Sequence, residues 1–174
     1  MFGPEGVSSE RHTEGGSLKN LTDLFTGNRK RPEDAVGFWM WRLTLAFQRR
    51  AEAPLKEIGL THLQYVVLIL AAWLNLNSDE VSQGDLVEIS GVQEAQVSLM
   101  VKALKAKKLI TQKRSLQDSR VRLITVTSEG TRLLSVAVPL MTSLQAELWP
   151  PGPETDQMLH LFSKTLERWK TEHA

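Results

Sequence analysis

The stretch LITQKRSLQDSRVRLITVTSEG, residues 109–130, decides the interpretation of this chain. It contains two short runs rich in β-branched residues, Leu109 to Arg114 and Val121 to Val126, separated by the polar segment Ser115 to Arg120. Two such runs around a polar turn are typical of a β-hairpin. Thr127 or Ser128 is then placed to cap a long helix. The stretch therefore predicts a two-stranded hairpin that leads directly into a helix.

Positive charge is concentrated on this hairpin and just before it. Residues 102–122 carry eight lysines and arginines against the single carboxylate of Asp118, a net charge of +7 in a chain whose formal net charge is +1, so the rest of the chain sums to −6. A basic segment on an acidic body is typical of a surface that binds a polyanion, because each neutralised phosphate releases counterions. The same charges could simply form a solvated helix face, and charge alone does not decide between the two.

A long first helix is predicted over residues 34–58, where apolar residues such as Val36, Met40 and Phe47 follow helical spacing. Gly59 supplies a stop signal at its end. Pro54 is expected to kink the last turn or to restart the chain as a new helix. Residues 1–33 are polar and glycine-rich with few apolar anchors, so they are interpreted as a flexible N-terminal arm.

Two further helices begin at capping boxes, in which a Ser or Thr and a residue three positions later satisfy each other's free backbone N–H groups. These boxes are Thr61 with Gln64 and Ser82 with Asp85. They predict a helix over about 62–76 and a short one that ends at Gly91, and a fourth helix follows over about 93–106. Two short helices joined by a glycine-containing turn and followed by a basic hairpin form the order of a winged helix-turn-helix.

Two more helices are predicted after the hairpin. The first runs from 128 to about 149 with a break at Pro139, and the second covers about 154–171. Their apolar stripes must be buried against something, and a second copy of the chain is the natural partner. The candidate interface residues are Leu144, Leu148, Trp149, Leu161, Phe162 and Trp169. Ordinary core within one chain is the alternative for each of them.

Over about residues 35–149 the sequence resembles the MarR family of bacterial transcriptional regulators. The matching motifs are Gly59-Leu60-Thr61-x-x-Gln64, Val81-Ser82-Gln83-x-x-Leu86, Gln96-Val97-Ser98, Leu109-Ile110, and Asp118-x-Arg120 followed by a strand and Thr127-x-x-Gly130. The wing motif is the most specific of these. The resemblance implies a mainly α fold with a small β-wing, in which a winged helix-turn-helix domain over 59–127 is flanked by dimerisation helices over 34–58 and 128–174.

The resemblance also implies a set of DNA contacts. Residues of the second short helix would face base edges, residues at the start of the first would hold the DNA backbone, and Arg120, oriented by Asp118, would enter the minor groove. The predicted DNA-binding residues are Ser82, Gln83, Gln93, Gln96, Ser98, Lys102, Lys105, Arg114, Asp118, Arg120 and Arg122. The family often has arginine at the position of Leu99 and glycine at that of Lys108. The alternative to DNA contact is that these Gln and Ser side chains only face solvent on a helix surface.

In function, the resemblance implies a homodimeric regulator, by family default a repressor, that binds pseudo-palindromic double-stranded DNA and is released by a small aromatic or phenolic ligand. The predicted ligand-binding residues are Trp39, Trp41, Arg42, Phe47, His62 and Tyr65. Aromatic residues at helical spacing are more often plain core, which is the alternative for this pocket. The alternative function is a winged-helix interaction protein that has lost DNA binding or acts without a ligand.

Other function classes have little support in the sequence. The chain has no cysteine, and its four histidines show no metal-ligand spacing. We find no HExxH, GxSxG, phosphate-loop or dinucleotide pattern. We therefore predict neither an enzyme nor a metal site or cofactor. The longest apolar run, Tyr65 to Trp73, is about half of what a bilayer crossing needs, and the first 20 residues do not resemble a signal peptide, so a cytoplasmic location is expected.

Overall fold

The computed structural model describes residues 31–118 and 120–173. The predicted arm therefore lies outside the described residues except for positions 31–33, and a 3₁₀ turn over Pro32–Asp34 begins at its end. The chain divides into two compact units, 1–46 and 47–174, and each is described by itself. The functional division at 59 and 128 stays a prediction.

The described residues are mainly helical, with one two-stranded antiparallel sheet, as predicted. In chain order the elements are α1 (Val36–Glu57), α2 (His62–Asn77), α3 (Gln83–Ser90), α4 (Glu94–Ala106), β1 (Ile110–Arg114), β2 (Arg122–Val126), α5 (Ser128–Leu148) and α6 (Pro153–His173). Helices α3 and α4 with the hairpin form the winged helix-turn-helix. The fold class predicted from the sequence is confirmed.

Local sequence signals set the starts of α2 and α3. At α2 the Thr61 hydroxyl accepts the Gln64 N–H at 3.2 Å while the Gln64 side chain accepts the Thr61 N–H at 3.3 Å. At α3 the same reciprocal pair joins Ser82 and Asp85. Both capping boxes satisfy backbone donors that a helix start leaves free.

Helix α1 ends in a Schellman motif at Gly59. The Leu60 N–H donates to the Leu55 carbonyl at 2.8 Å, and the Gly59 N–H donates to the Lys56 carbonyl at 3.0 Å. This pattern requires a left-handed residue, and Gly59 has a φ of 78°. The chain therefore turns sharply before α2, as the glycine predicted.

The two prolines inside predicted helices do not interrupt them. Helix α1 continues through Pro54 to Glu57, and α5 continues through Pro139 to Leu148. The expected restart at Pro54 and break at Pro139 were therefore wrong. A proline removes one backbone hydrogen bond, but buried side chains on both sides hold each helix in place. These are Ala51 and Leu55 in α1, and Leu134, Ala137, Met141 and Leu144 in α5.

The core lies in the second unit, and every described helix from α2 to α5 contributes to it. Its fully buried large side chains are Leu55, Leu60, Val67, Leu68, Val81, Leu86, Val97, Val101, Leu104, Ile110 and Ile124. The predicted interface residue Leu144 is also buried in this cluster, so it is core within one chain. This packing fixes the two short helices and the hairpin against α2.

The hairpin is attached to the helical core through β2. Strands β1 and β2 pair with Gln112 opposite Ile124. On the other edge of β2, the Ile124 N–H donates to the Val81 carbonyl at 2.7 Å. The Asn75 side chain donates to the Ile124 carbonyl at 3.0 Å and accepts the Val126 N–H at 2.9 Å. The edge of β2 nearest the core is therefore paired.

No single helix in the described part of the chain is both long and apolar enough to cross a membrane. The consecutive helices α1 and α2 meet that criterion only when they are counted together across the bend that separates them. The buried residues of α2 include Val67, Leu68 and Ala71, as in the core helix of a folded domain.

Candidate nucleic-acid interface

Helix α4 has one buried face and one exposed face. Val97, Val101 and Leu104 are buried at helical spacing. On the opposite side of the helix, Ala95, Leu99, Lys102 and Ala106 are exposed. The helix is therefore held by one stripe of side chains and offers the other to a partner.

The residues of α4 predicted to contact DNA are all exposed. Gln96 and Ser98 flank the outward stripe, Lys102 lies on it, and Lys105 follows near the helix end. Gln93 is the N-cap residue and makes no side-chain cap hydrogen bond, which agrees with its being a poor cap. Its amide is thus not used within the helix. The roles of these residues in DNA contact stay predictions.

Ser82 and Gln83 lie at the N-terminus of α3, where both are half-buried. The Ser82 hydroxyl donates to Asp85 Oδ2 at 2.8 Å and accepts the Asp85 N–H. It therefore caps the helix, and its proton is engaged by Asp85. The Gln83 side chain makes no hydrogen bond within the part of the chain that the structure describes.

The wing tip is a hydrogen-bonded turn. The Ser115 hydroxyl accepts the N–H groups of Gln117 and Asp118 at 3.1 and 3.3 Å. Asp118 Oδ1 then accepts the Arg120 backbone N–H at 2.9 Å. Asp118 thus orders the backbone at Arg120 rather than its guanidinium. The Arg120 side chain stays exposed at the tip.

Two arginines face each other at the outer end of the wing. Arg114 is the last residue of β1, Arg122 is the first of β2, and they are directly paired in the antiparallel register. Both side chains are exposed. Like charges in directly opposite positions destabilise a sheet. An anion between the two guanidinium groups would relieve that repulsion.

Seven of the eight cations in residues 102–122 make no ion pair and no side-chain hydrogen bond with other described residues. The exception is Lys107, whose ammonium donates to the Gly59 carbonyl and, at 2.7 Å, to Gln64 Oε1. Lys107 therefore ties the end of α4 to the start of α2. Lys107 serves the fold, and no sequence pattern indicated these hydrogen bonds. The others, all exposed, are Lys102, Lys105, Lys108, Lys113, Arg114, Arg120 and Arg122.

The motif Thr127-x-x-Gly130 locks the base of the wing to the end of α4. The Thr127 hydroxyl donates to the Lys108 carbonyl at 2.8 Å and accepts the Gly130 N–H at 3.1 Å. A Cβ on Gly130 would lie 2.3 Å from the Leu109 carbonyl oxygen, so only glycine lets α5 approach this closely. The positions of the wing and of α4 are thus fixed together.

Lys108 departs from the expected residue type and from ordinary backbone geometry. It has a φ of 61°, in the left-handed region. The Leu109 N–H donates to the Leu104 carbonyl at 3.0 Å, so α4 ends in the same motif as α1. The resemblance implied glycine here, and the backbone explains why. The lysine adds a cation at some cost in backbone strain.

Three of the predicted ligand-binding residues lie in the second unit. The rings of Phe47 and His62 meet edge to face with centroids 5.6 Å apart, and the Phe47 and Trp149 centroids are 5.8 Å apart. Burial lowers the pKa of His62, and the nearby Glu52 opposes that change. Burial raises the pKa of Tyr65. Trp149, predicted only for a dimer interface, joins this aromatic cluster.

The other three predicted ligand-binding residues lie in the first unit. Trp39, Trp41 and Arg42 are exposed. The Arg42 guanidinium lies 5.6 Å from the centroid of Phe38 and 5.8 Å from that of Trp39, within reach of a cation–π contact. Whether any of the six residues binds a ligand stays a prediction. Over the described residues, no group of three or more His, Asp or Glu is placed to hold a metal ion.

Comparisons with known proteins identify the type of fold. Residues 51–135 match the family described as transcriptional regulator SarA/Rot. An uncharacterized HTH-type transcriptional regulator of Bacillus subtilis, YdcH, is 27% identical over 136 residues, which cover 78% of this chain and 92% of that protein.

Two solved structures have closely similar folds. CouR from Rhodococcus jostii bound to p-coumaroyl-CoA superposes with a TM-score of 0.67 and 24% identity, covering 80% of this chain and 94% of CouR. A MarR variant from E. coli complexed with operator DNA gives a TM-score of 0.67 and 16% identity, covering 84% of this chain and 97% of that one. The resemblance noted at the wing motif is thus confirmed. The matched family and the B. subtilis relative are described as transcriptional regulators, not as enzymes. The chain has the winged-helix fold of the MarR-type regulators, and its sequence is similar to transcriptional regulators of the SarA/Rot and HTH types.

Proposed function

We propose that this protein is a homodimeric repressor that binds pseudo-palindromic double-stranded DNA and is released by a small aromatic ligand. The observation that carries the DNA-binding part is the set of exposed, unpaired cations on α4 and the wing. They flank a helix whose outward face makes no contact with the core. Two solved neighbours of this fold, MarR and MepR, are complexed with DNA.

The shape of this surface suits duplex DNA. The major groove is about 12 Å wide and accepts one α-helix, and α4 presents Gln96, Ser98 and Lys102 on its free side. The hairpin follows α4 directly and places Arg120 at its tip. In that arrangement α4 reads bases in the major groove while Arg120 reaches an adjacent minor groove, where the negative potential is strongest over A·T-rich sequence.

The dimer is supported by apolar side chains that one chain leaves exposed. In α6, Leu159, Phe162, Leu166 and Trp169 recur at helical spacing and are exposed by 44 to 62%. In the first unit, Val36, Met40 and Leu43 are exposed at the same spacing. A stripe of this kind is buried when a second copy packs against it. The two copies of α4 would then meet two half-sites of one operator.

Release by a ligand is supported by the aromatic cluster of Phe47, His62 and Trp149 in the second unit. The half-buried imidazole of His62 lies beside the ring of Phe47, which in turn meets the ring of Trp149. Such a cluster suits a phenol or an aromatic acid, since aromatic rings can stack on the ligand and an imidazole can hydrogen-bond to it. CouR, which has a similar fold, was solved with p-coumaroyl-CoA. A ligand releases DNA only if it prefers the unbound conformation.

Selection from a random duplex library with the full chain tests the DNA-binding proposal. We expect an enriched pseudo-palindrome whose affinity falls steeply as salt rises, because several phosphates are contacted. Sedimentation should give two copies per duplex, and Phe162→Glu should yield a monomer that binds it weakly. If no sequence is enriched and no salt-dependent binding is seen, the alternative function, a winged-helix interaction protein that has lost DNA binding, would be favoured instead. A reporter downstream of the selected site then separates repression from activation.

A further inference from the structure

Leu99 is the most unusual residue on the outward face of α4. Its side chain is 61% exposed, although it is a large apolar group. It lies opposite the buried residues Val97 and Val101, at the middle of the helix. A single exposed leucine is ordinary on a protein surface, but this one occupies the centre of the face that a recognition helix presents to base edges.

Ala95 extends this apolar feature by one helical turn. It lies four residues before Leu99, is also exposed, and so shares its face. Polar and cationic residues surround the pair, with Gln96 and Ser98 beside it and Lys102 one turn later. An apolar protein surface would not suit this rim of polar and positive groups. A nucleic acid suits it, because its bases offer apolar atoms between rows of phosphates.

The major groove contains one kind of apolar group, the methyl on C5 of a pyrimidine. Thymine always carries it, and cytosine carries it only when methylated. Aliphatic side chains recognise this methyl by direct contact. We propose that Leu99, with Ala95, reads a C5-methyl group in each half-site and so determines part of the operator sequence. This inference rests on the proposed DNA binding by α4.

The test uses the duplex selected by the full chain, with each thymine replaced in turn by deoxyuridine, which lacks only the methyl. At one or two positions of each half-site we expect the affinity of the wild-type protein to fall about fourfold, the effect of losing one buried methyl. The variant Leu99→Ala should bind more weakly and should no longer distinguish thymine from deoxyuridine there. At the same positions, 5-methylcytosine paired with guanine should bind better than cytosine, which separates the two sources of the methyl.

Leu116→Ala is the matched control, because Leu116 is a fully exposed leucine at the wing tip, away from α4. This variant should keep the thymine preference. The unfolding midpoint of Leu99→Ala should stay close to that of the wild type, because the Leu99 side chain is 61% exposed and lies outside the buried core cluster. Tight, salt-dependent binding with no deoxyuridine effect, or an equal effect in Leu99→Ala, would overturn this inference while leaving DNA binding intact. Failure to select any duplex would overturn both.

Discussion

Arg114 and Arg122 face each other directly across the two strands of the wing. Neither arginine has an acidic partner among the described residues, and their mutual repulsion acts in the folded state whether or not DNA is present. In the proposed complex, a DNA phosphate bound near the pair would turn this unfavourable feature into a favourable one. The stability of the wing would then depend on the presence of DNA.

Replacing either arginine by alanine should change DNA affinity and stability in opposite directions. For Arg122→Ala we expect weaker binding. The slope of log affinity against log salt concentration should become smaller in magnitude by about 1, as for one lost phosphate contact. The free energy of unfolding should stay equal or rise by a few tenths of a kcal/mol. Fluorescence anisotropy over a salt series and denaturant unfolding measure the two effects. Arg132→Ala is the control, because Arg132 is on α5 and pairs with Glu129.

Arg120→Ala should weaken operator binding by at least tenfold at fixed salt, because the proposed binding mode puts its guanidinium in the minor groove. Asp118→Ala should weaken it less, since it removes only the hydrogen bond to the Arg120 backbone. Gel-shift titration with the selected duplex measures both. Unchanged binding by Arg120→Ala would rule out the wing as a DNA contact.

Gly130→Ala should destabilise the protein by about 2 kcal/mol, because the new Cβ would overlap the Leu109 carbonyl and overpacking typically costs this much. Gly84→Ala is the matched control, since a Cβ there meets only the Ser82 hydroxyl oxygen at 3.5 Å, an ordinary contact. Urea unfolding of both variants checks the difference. Equal midpoints would show that α5 and the wing base can move apart freely.

Lys108→Gly should stabilise the protein by about 1 kcal/mol, because lysine at positive φ is strained and glycine is not. It should also weaken DNA binding slightly, since a cation near the interface is lost. Lys105→Gly provides the contrast: it lies within α4, and glycine there should destabilise by about 1 kcal/mol. Thermal unfolding of the three proteins ranks them directly.

The sequence predicted the features that depend on neighbouring residues. Both capping boxes and the end of α1 at Gly59 were foreseen because their partners lie within a few positions. The role of Asn75 was not, since it binds the backbone of β2 at Ile124 and Val126, about 50 positions away. The interruption expected at Pro139 was wrong for the same reason, because distant core contacts support that helix. The periodicity of apolar residues predicted which side of α4 faces outward. It could not predict the hydrogen bonds of Lys107, whose partners are more than 40 positions away.

The stability of the protein should depend on pH through His62. Burial lowers the pKa of its imidazole in the folded state, so the folded protein binds fewer protons than the unfolded chain, whose histidine has a pKa of about 6.5. Stability is therefore fully present above that pH and is lost as the pH falls through the lower folded pKa. Urea unfolding between pH 5 and pH 8 should show this slope.

The variant His62→Gln should reduce this pH dependence. His160→Gln is the control, because His160 is exposed on α6, and it should leave the slope unchanged. An identical slope in wild type and His62→Gln would place the titrating group elsewhere.

The two faces of α4 have a consequence for how such a regulator can evolve. Val97, Val101 and Leu104 keep the helix in place, while the residues on its outward side take no part in packing. Substitutions on this side, where the proposed promoter contacts lie, therefore carry almost no penalty in folding. Duplicated copies of the gene can diverge in the promoters they control while the scaffold stays the same.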